Sequence, residues 1–353
     1  MFLLQYGMHP STTGVHFEAA ARERDDSWDI RRMRHGQALR LDGVSYKGSL
    51  WVDSGIRSFQ VGAHAAAFPT AAFFIDVHLQ LPIYVAMAGL FDHVFVAQPD
   101  HLSSIRAANA NAKWLPLACP RALVETPRER VFEVGFVGNV RPGTRREAIL
   151  DHLAKRFAMN DWRRSYSTEE MADVYRRSAI VVNDPIDGDL NMRFFEAMGS
   201  GAAVVMPRIG NGLREIAEEG THFAIADFDS LDNIADVVSS LLESGRHEKI
   251  GGAARELVAA KHTYEHRLSV VVDAFREPAS APIREMSRRE RARYLSEAAN
   301  ATASSALALE ALRAARFGDP KVLTNAAMAG ARAARRRLAT RAVRRTLREA
   351  EHP

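Results

Sequence analysis

The chain has 353 residues, 47% hydrophobic and 25% charged, which are the proportions of a soluble globular protein large enough for two domains. The best apolar run, residues 79–97, is broken by Pro82, Asp92 and His93, so it excludes a membrane span, and the opening Met-Phe-Leu-Leu-Gln-Tyr-Gly reads as a first strand and not as a signal peptide. Cys119 is the only cysteine, which excludes an internal disulfide and a thiolate metal cluster and fits a reducing cytoplasm.

In chain order, 2–6 is a strand, followed by a polar turn (Ser11-Thr12-Thr13-Gly14) and a helix from about Val15. Short apolar runs recur at 50–52, 72–77, 93–97 and 114–117, separated by helical stretches. That alternation predicts a parallel sheet with helices on both faces, in a first domain over 1–125. Several runs end in polar or small residues: Asp53-Ser54-Gly55, Asp76-Val77-His78 and Gln98-Pro99-Asp100. Ligands of open parallel sheets bind outside the carboxyl ends of the strands, so these positions are candidates. Asp76 is placed to act as a base on an acceptor hydroxyl, and His78 or His64 to contact a sugar or that hydroxyl; a helix-capping Asp and satisfied histidines are the plainer readings.

Prolines and charges from 120 to 130 mark a linker. A second alternation over 131–280 follows, with strands at 131–137, 179–183, 202–206 and 223–226 and helices at 145–157, 168–177, 193–198, 212–219 and 230–244. Ser167 with Glu170 has the spacing of a capping box. The stretch Asp189-Leu-Asn-Met-Arg-Phe-Phe-Glu-Ala-Met-Gly-Ser-Gly-Ala-Ala-Val-Val205 sets Asn191, Arg193 and Glu196 where a loop feeds into a helix, ahead of a buried strand. Arg193 can neutralise a phosphate and Glu196 can accept hydrogen bonds from two ribose hydroxyls, a combination suited to a nucleoside diphosphate. Gly138-Asn139 at a strand end gives a phosphate room to approach the backbone, or marks an ordinary turn.

Beyond 281 the sequence turns Ala- and Arg-rich and reads as a helical extension, with helices at 287–316 and 321–348 broken by Gly318-Asp319-Pro320. This segment holds 16 Arg and Lys against 7 Asp and Glu, a balance of 16 − 7 = +9; the whole chain carries +4, so 1–280 carries 4 − 9 = −5. Arg332, Arg335, Arg336, Arg337, Arg341, Arg344, Arg345 and Arg348 nearly surround the last helix, with a thin seam of Leu338, Val343 and Leu347. The seam can pack on the body or on a second copy; the charge can attract a polyanion, DNA phosphates or an acidic membrane surface. Few aromatics interleave the arginines, which argues against base stacking.

The run Glu169-Glu-Met-Ala-Asp-Val-Tyr-Arg-Arg-Ser-Ala-Ile-Val-Val-Asn183, continued by Leu190-Asn-Met-Arg-Phe-Phe-Glu-Ala-Met-Gly-Ser-Gly201, resembles the CgeB-like group of glycosyltransferases. These belong with the large retaining families whose carboxy-terminal domain is called glycosyl transferases group 1. Val134-Gly-Phe-Val-Gly-Asn139 followed by Arg145-Arg146 is similar to the opening of that domain. The resemblance spans about 131–225, weakens over 70–120 and is absent beyond 280. It implies two Rossmann-like domains facing a cleft (GT-B), a nucleotide-sugar donor held mainly by the second, no resident cofactor and no obligatory metal. The residues agree with it: Arg145 and Arg193 are candidates for the pyrophosphate and Gly138, Asn139 and Asn191 for donor contact, while Glu196 matches the second glutamate of the family's paired motif, which binds the ribose. The first glutamate of the family's paired-glutamate motif falls at Gly188, so the sugar contact passes to Asp187, Asp189 or a backbone amide. The activity implied is hexosyl or pentosyl transfer to a hydroxyl of a glycan, small molecule, protein or hydroxylated DNA base. The competing readings are a non-catalytic module anchored through its tail and a sugar-nucleotide epimerase.

Overall fold

The protein is described from a computed structural model, covering all residues except 8–12, 35–37, 42–43, 54–58, 125–127, 280, 316–318 and 352–353, and without the side chains of 38, 40, 59–61 and 336–351. Ser11, Thr12, Ser54, Gly55 and Gly318 therefore lie outside the described residues, as do the side chains of the tail arginines from Arg336 onward. The chain forms two compact units: Met1–Trp114 with Val271–Pro353, and Leu115–Val270.

The first unit is built on a six-stranded, wholly parallel sheet. Its strands are β1 (Phe2–Gly7), β2 (Trp28–Met33), β4 (Ser49–Val52), β6 (Thr70–Phe74), β7 (His93–Val96) and β8 (Ala112–Trp114), in the order β2-β1-β4-β6-β7-β8; β3 (Ala38–Arg40) and β5 (Phe59–Val61) form a separate pair. β1, β4, β6 and β7 are buried at every position, as in a sheet covered on both faces. β2 was not expected, because the short alternation Trp-Asp-Ile-Arg is cut off by Arg32 and half of its six residues are charged. It is an edge strand whose charges are neutralised locally, Arg31 by Asp29 at 2.7 Å and Arg32 by Glu18 at 2.5 Å.

The Ala- and Arg-rich segment supplies the layer over one face of this sheet. Its helices are Pro282–Glu285, Arg288–Thr302, Ser305–Ala315 and Pro320–Glu351. Leu295, Ala298, Leu307 and Val322 join Trp51, Phe74, Phe91 and Val96 in one core, each large side chain contributing roughly 1.5–3 kcal/mol by burial. Alanine at most buried positions lets helices and sheet approach closely. The expected single helix over 287–316 is two: Ala303 adopts left-handed φ 53°, and Ser304 Oγ caps the next helix by accepting from Leu307 N at 3.0 Å. Asp92, almost fully buried, ties the segment down by accepting from Thr70 N (2.8 Å), Thr70 Oγ1 (3.0 Å), Ala281 N (3.0 Å) and the Arg284 guanidinium.

The second unit carries a four-stranded parallel sheet, β12-β11-β10-β9, with β9 Phe132–Gly135, β10 Ser178–Val182, β11 Ala203–Met206 and β12 Ala224–Ile225. Helices Arg145–Ala154 and Leu231–Glu243 bury Ile149, Leu153, Ile234 and Val238 against Ile180, Val182 and Val205. Helices Met192–Gly199 and Arg246–Lys261 pack on each other and on β11. The capping box at Ser167 and Glu170 is formed. Residues 115–119 enter as extended chain and are held by Arg267, a buried cation donating to Pro116 O (2.8 Å), Leu117 O (3.0 Å), Lys261 O (3.1 Å) and His262 Nδ1 (2.9 Å). Among the described residues no helix is long and apolar enough to cross a membrane.

Candidate functional site

The polar residues of the second unit gather at the carboxyl ends of β9 and β10, where a parallel sheet presents its ligand edge. Asn191 caps the helix Met192–Gly199, its Oδ1 accepting from Phe194 N at 3.2 Å. Two residues on, Arg193 turns its guanidinium back across the sheet edge. Nε donates to Val137 O at 3.0 Å and Nη1 to Asn183 Oδ1 at 3.1 Å, while the group lies 4.5 Å over the Phe136 ring. Gly138 makes this possible: a Cβ there would stand 2.0 Å from Arg193 Nη2. The glycine therefore admits the guanidinium.

Arg146 extends the positive cluster. It donates from Nη1 to Asn139 O at 2.8 Å and from Nη2 to Asp184 O, and its guanidinium lies 5.9 Å from the Phe136 centroid. Burial first, then the Arg193 and Arg145 charges, lower its pKa, against the pull of Asp184. The side chain of Asn139 is exposed at the rim. Arg145 lies beside this cluster. It bridges the buried Asp184 (2.7 Å) and the exposed Asp229 (3.1 Å), and although burial opposes it, those two carboxylates raise its pKa. It lines a pocket of about 510 Å³ with Pro185, Gly188, Pro207, Ile209 and Phe228.

Glu196, one turn beyond Arg193, is almost fully buried, and its carboxylate accepts no hydrogen bond from the described residues. Burial pushes its pKa up to about 7, against the pull of Arg193. The loop between β10 and the helix is bent by consecutive left-handed residues, Asp187 (φ 51°) and Gly188 (φ 68°), and is pinned by Asn211 Nδ2, which donates to Gly188 O (3.5 Å) and Asp189 Oδ1 (3.4 Å). Open space lies beyond the Gly188 Cα, so nothing in the fold excludes a side chain there except the backbone conformation.

Asp76 and His78 lie in the first unit, in and beside the short turn after β6. Asp76 takes left-handed φ 50°, and burial raises its pKa while His78 opposes the shift. His64 sits 3.6 Å from Glu310. Thr13 and Gly14 start the first helix, Gly14 packed against the Tyr6 ring. Thus Arg193, Asn191, Gly138, Asn139 and Arg145 share one sheet edge, with Glu196 on the same helix as Arg193, whereas Asp76 and His78 belong to the other unit. Sequence reasoning missed Asn183 and Asp184 as partners; their only signal was a polar pair ending an aliphatic strand. Among the described residues no group of three His, Cys, Asp or Glu is placed to hold a metal ion.

Residues 145–273 match the family model described as glycosyl transferase-like. No curated protein matches the chain. Among solved structures, Anabaena HepE in complex with UDP is similar at 13% identity, covering 78% of this chain and 100% of HepE with a TM-score of 0.56. Sucrose-phosphate synthase from Thermosynechococcus elongatus is similar at 11% identity over 78% of this chain and 98% of that one, TM-score 0.54. A glycosyltransferase from Rickettsia africae gives 9% identity, 78% and 97% coverage and a TM-score of 0.53. The fold is GT-B. Of S. aureus TarM, a longer protein, the chain spans 57%, itself covered over 67%, at 13% identity and a TM-score of 0.45. HepE has also been solved with UDP-glucose. Within the GT-B frame, the Arg193 cluster lies inside the segment that matches the family model, except for the strand β9 and the Gly138 loop that precede it.

Proposed function

We propose that the chain is a retaining, metal-independent glycosyltransferase of the CgeB-like kind, moving a hexosyl or pentosyl group from a nucleoside diphosphate sugar to a hydroxyl acceptor. The observation that carries this reading is Arg193: a guanidinium fixed by two hydrogen bonds and an aromatic face at a sheet edge, one helical turn from the buried Glu196. Its exposed loop neighbour Gly138 leaves Nη2 on the side where a diphosphate would lie. Arg146 adds a second positive charge, so charge growing on the departing diphosphate meets preorganised donors. The same charge takes the part a divalent ion would otherwise play. Glu196, ionised, accepts from the two ribose hydroxyls.

In the transfer step the acceptor oxygen bonds to the anomeric carbon as the bond from that carbon to the phosphate oxygen breaks. The acceptor proton passes to the departing phosphate on the same face, which retains the configuration. The protein then needs no nucleophile; positioning and charge stabilisation suffice. The pocket beside Gly188 receives the glycosyl group, and Asp76 and His78 serve the acceptor from the first unit. Attraction of a polyanion to the tail, and self-association through the C-terminal helices, are separate proposals. Of the tail cations, Arg332 and Arg335 are exposed within the described side chains. Salt-dependent DNA binding lost on truncation near residue 280 would support the first.

The test is incubation with a panel of nucleoside diphosphate sugars, reading bound or hydrolysed donor by mass spectrometry. Turnover lost in Arg193→Ala and Glu196→Ala, with folding intact, supports the assignment. Near-normal activity in both sinks it.

A further inference from the structure

Asn183 follows β10 directly, its backbone N–H donating to Val205 O at 2.9 Å and its side chain fully buried. The five strand residues before it are Ser-Ala-Ile-Val-Val, all buried, so packing alone calls for another aliphatic side chain. A carboxamide stands there instead, and its orientation is fixed by its neighbours. Arg193 offers only donors. The Asn191 Oδ1 is already committed to Phe194 N, so Asn191 faces Asn183 with its Nδ2. Both donors lie 3.1 Å from Asn183 Oδ1, which accepts from each. The Asn183 Nδ2 is thereby turned away into the protein, where it is buried and finds no acceptor. A buried donor without a partner is a standing cost to folding.

We propose that Asn183 is a positioning residue for donor binding. It holds Arg193 Nη1, and through Asn191 the start of the helix, so that Nη2 faces the diphosphate over Gly138. The orphaned Nδ2 is the consequence of pointing Oδ1 at both donors at once. This inference rests on the donor-binding reading above. It predicts a separation that a packing role would not give. Asn183→Leu keeps the number and branching of side-chain heavy atoms; it removes one buried unpaired donor but takes the acceptor from Arg193 Nη1 and Asn191 Nδ2, so the fold holds while the guanidinium loses its orientation.

The test is calorimetric titration of the full chain with UDP, GDP and ADP and with the matching monophosphates, alongside thermal melting. Asn183→Leu should melt close to wild type and bind the preferred diphosphate at least about tenfold more weakly, about 1.4 kcal/mol. Monophosphate binding should be nearly unchanged. In an Arg193→Ala background the same substitution should add nothing, because the interaction it serves is already gone. Asn183→Ser, too short to reach either donor, should lose as much and carries the comparison if the leucine variant fails to fold. Unchanged diphosphate affinity, or an equal loss in the Arg193→Ala background, overturns the proposal. If the wild-type chain binds none of the diphosphates, it is the donor reading itself that falls.

Discussion

Gly138→Ala is the smallest change that tests how the guanidinium is held. The added Cβ would stand 2.0 Å from Arg193 Nη2. Restoring an ordinary contact requires the group to move by roughly 1.5 Å. Its hydrogen bonds to Val137 O (3.0 Å) and Asn183 Oδ1 (3.1 Å) cannot both survive such a shift. The side chain that must yield is long and flexible and the loop is exposed, so the loss of global stability should stay near 1 kcal/mol or below. Binding should suffer more, because a charged hydrogen-bond donor displaced from its ligand forfeits about 1.5–3 kcal/mol. The expected result is a ten- to hundredfold weaker Kd, about 1.4–2.8 kcal/mol, measured by titration with UDP-glucose or whichever donor the panel identifies. Melting temperature is the control for folding. A variant that binds the donor as tightly as wild type would refute the reasoning, since Arg193 would then have no need of the space Gly138 provides.

Three further outcomes follow from buried titratable groups. Glu196 has a folded pKa of about 7 against an ordinary 4.5, so its stability contribution is full below pH 4.5 and is lost as pH rises through 7. Glu196→Gln should therefore stabilise the protein above pH 7, by up to about 3 kcal/mol in thermal or urea melting, while abolishing donor binding; equal stability at pH 8 would contradict it. His262 is held neutral, its pKa depressed to about 3 by burial and then by Arg267, His266 and Lys261. Its contribution is present above pH 6.5 and declines toward pH 3, at about 1.36 kcal/mol per pH unit, so His262→Gln should flatten the acid limb of a stability profile relative to wild type. Asp92→Ala leaves Arg284 without its carboxylate and Thr70 N and Ala281 N without an acceptor. It should cost about 3–5 kcal/mol in urea unfolding and expose the C-terminal helices to trypsin; a loss under 1 kcal/mol would show that the helices hold by their apolar seam alone.

The elements that sequence made visible were those whose cause is local. Aliphatic runs such as Ala-Ile-Val-Val and Ala-Val-Val-Met became buried parallel strands, and the Ser167–Glu170 box formed as its spacing requires. Asn191, two residues before Arg193, was likewise readable as a helix start. What stayed hidden depends on partners far along the chain. β2 carries two arginines and an aspartate; beside the local Arg31–Asp29 pair, those charges are met by Glu18 and Tyr46, and the strand pairs along its length with β1. Arg145 is expected at the pyrophosphate from its motif; its contacts with Asp184 and Asp229, residues 39 and 84 positions downstream, are not readable there.

Arg193 shows where the boundary falls. The spacing of Asn191, Arg193 and Glu196 fixes which residues sit at the start of one helix, and that much is periodicity. The direction of the guanidinium is set by Val137 O, Asn183 Oδ1, the Phe136 ring and the missing Cβ of Gly138. Three of those four come from the loop after β9, more than fifty residues earlier. A motif of this kind therefore names the charged group, while the neighbouring strand decides where that group points. Substitutions at Gly138 and Asn183 should alter affinity without touching the motif.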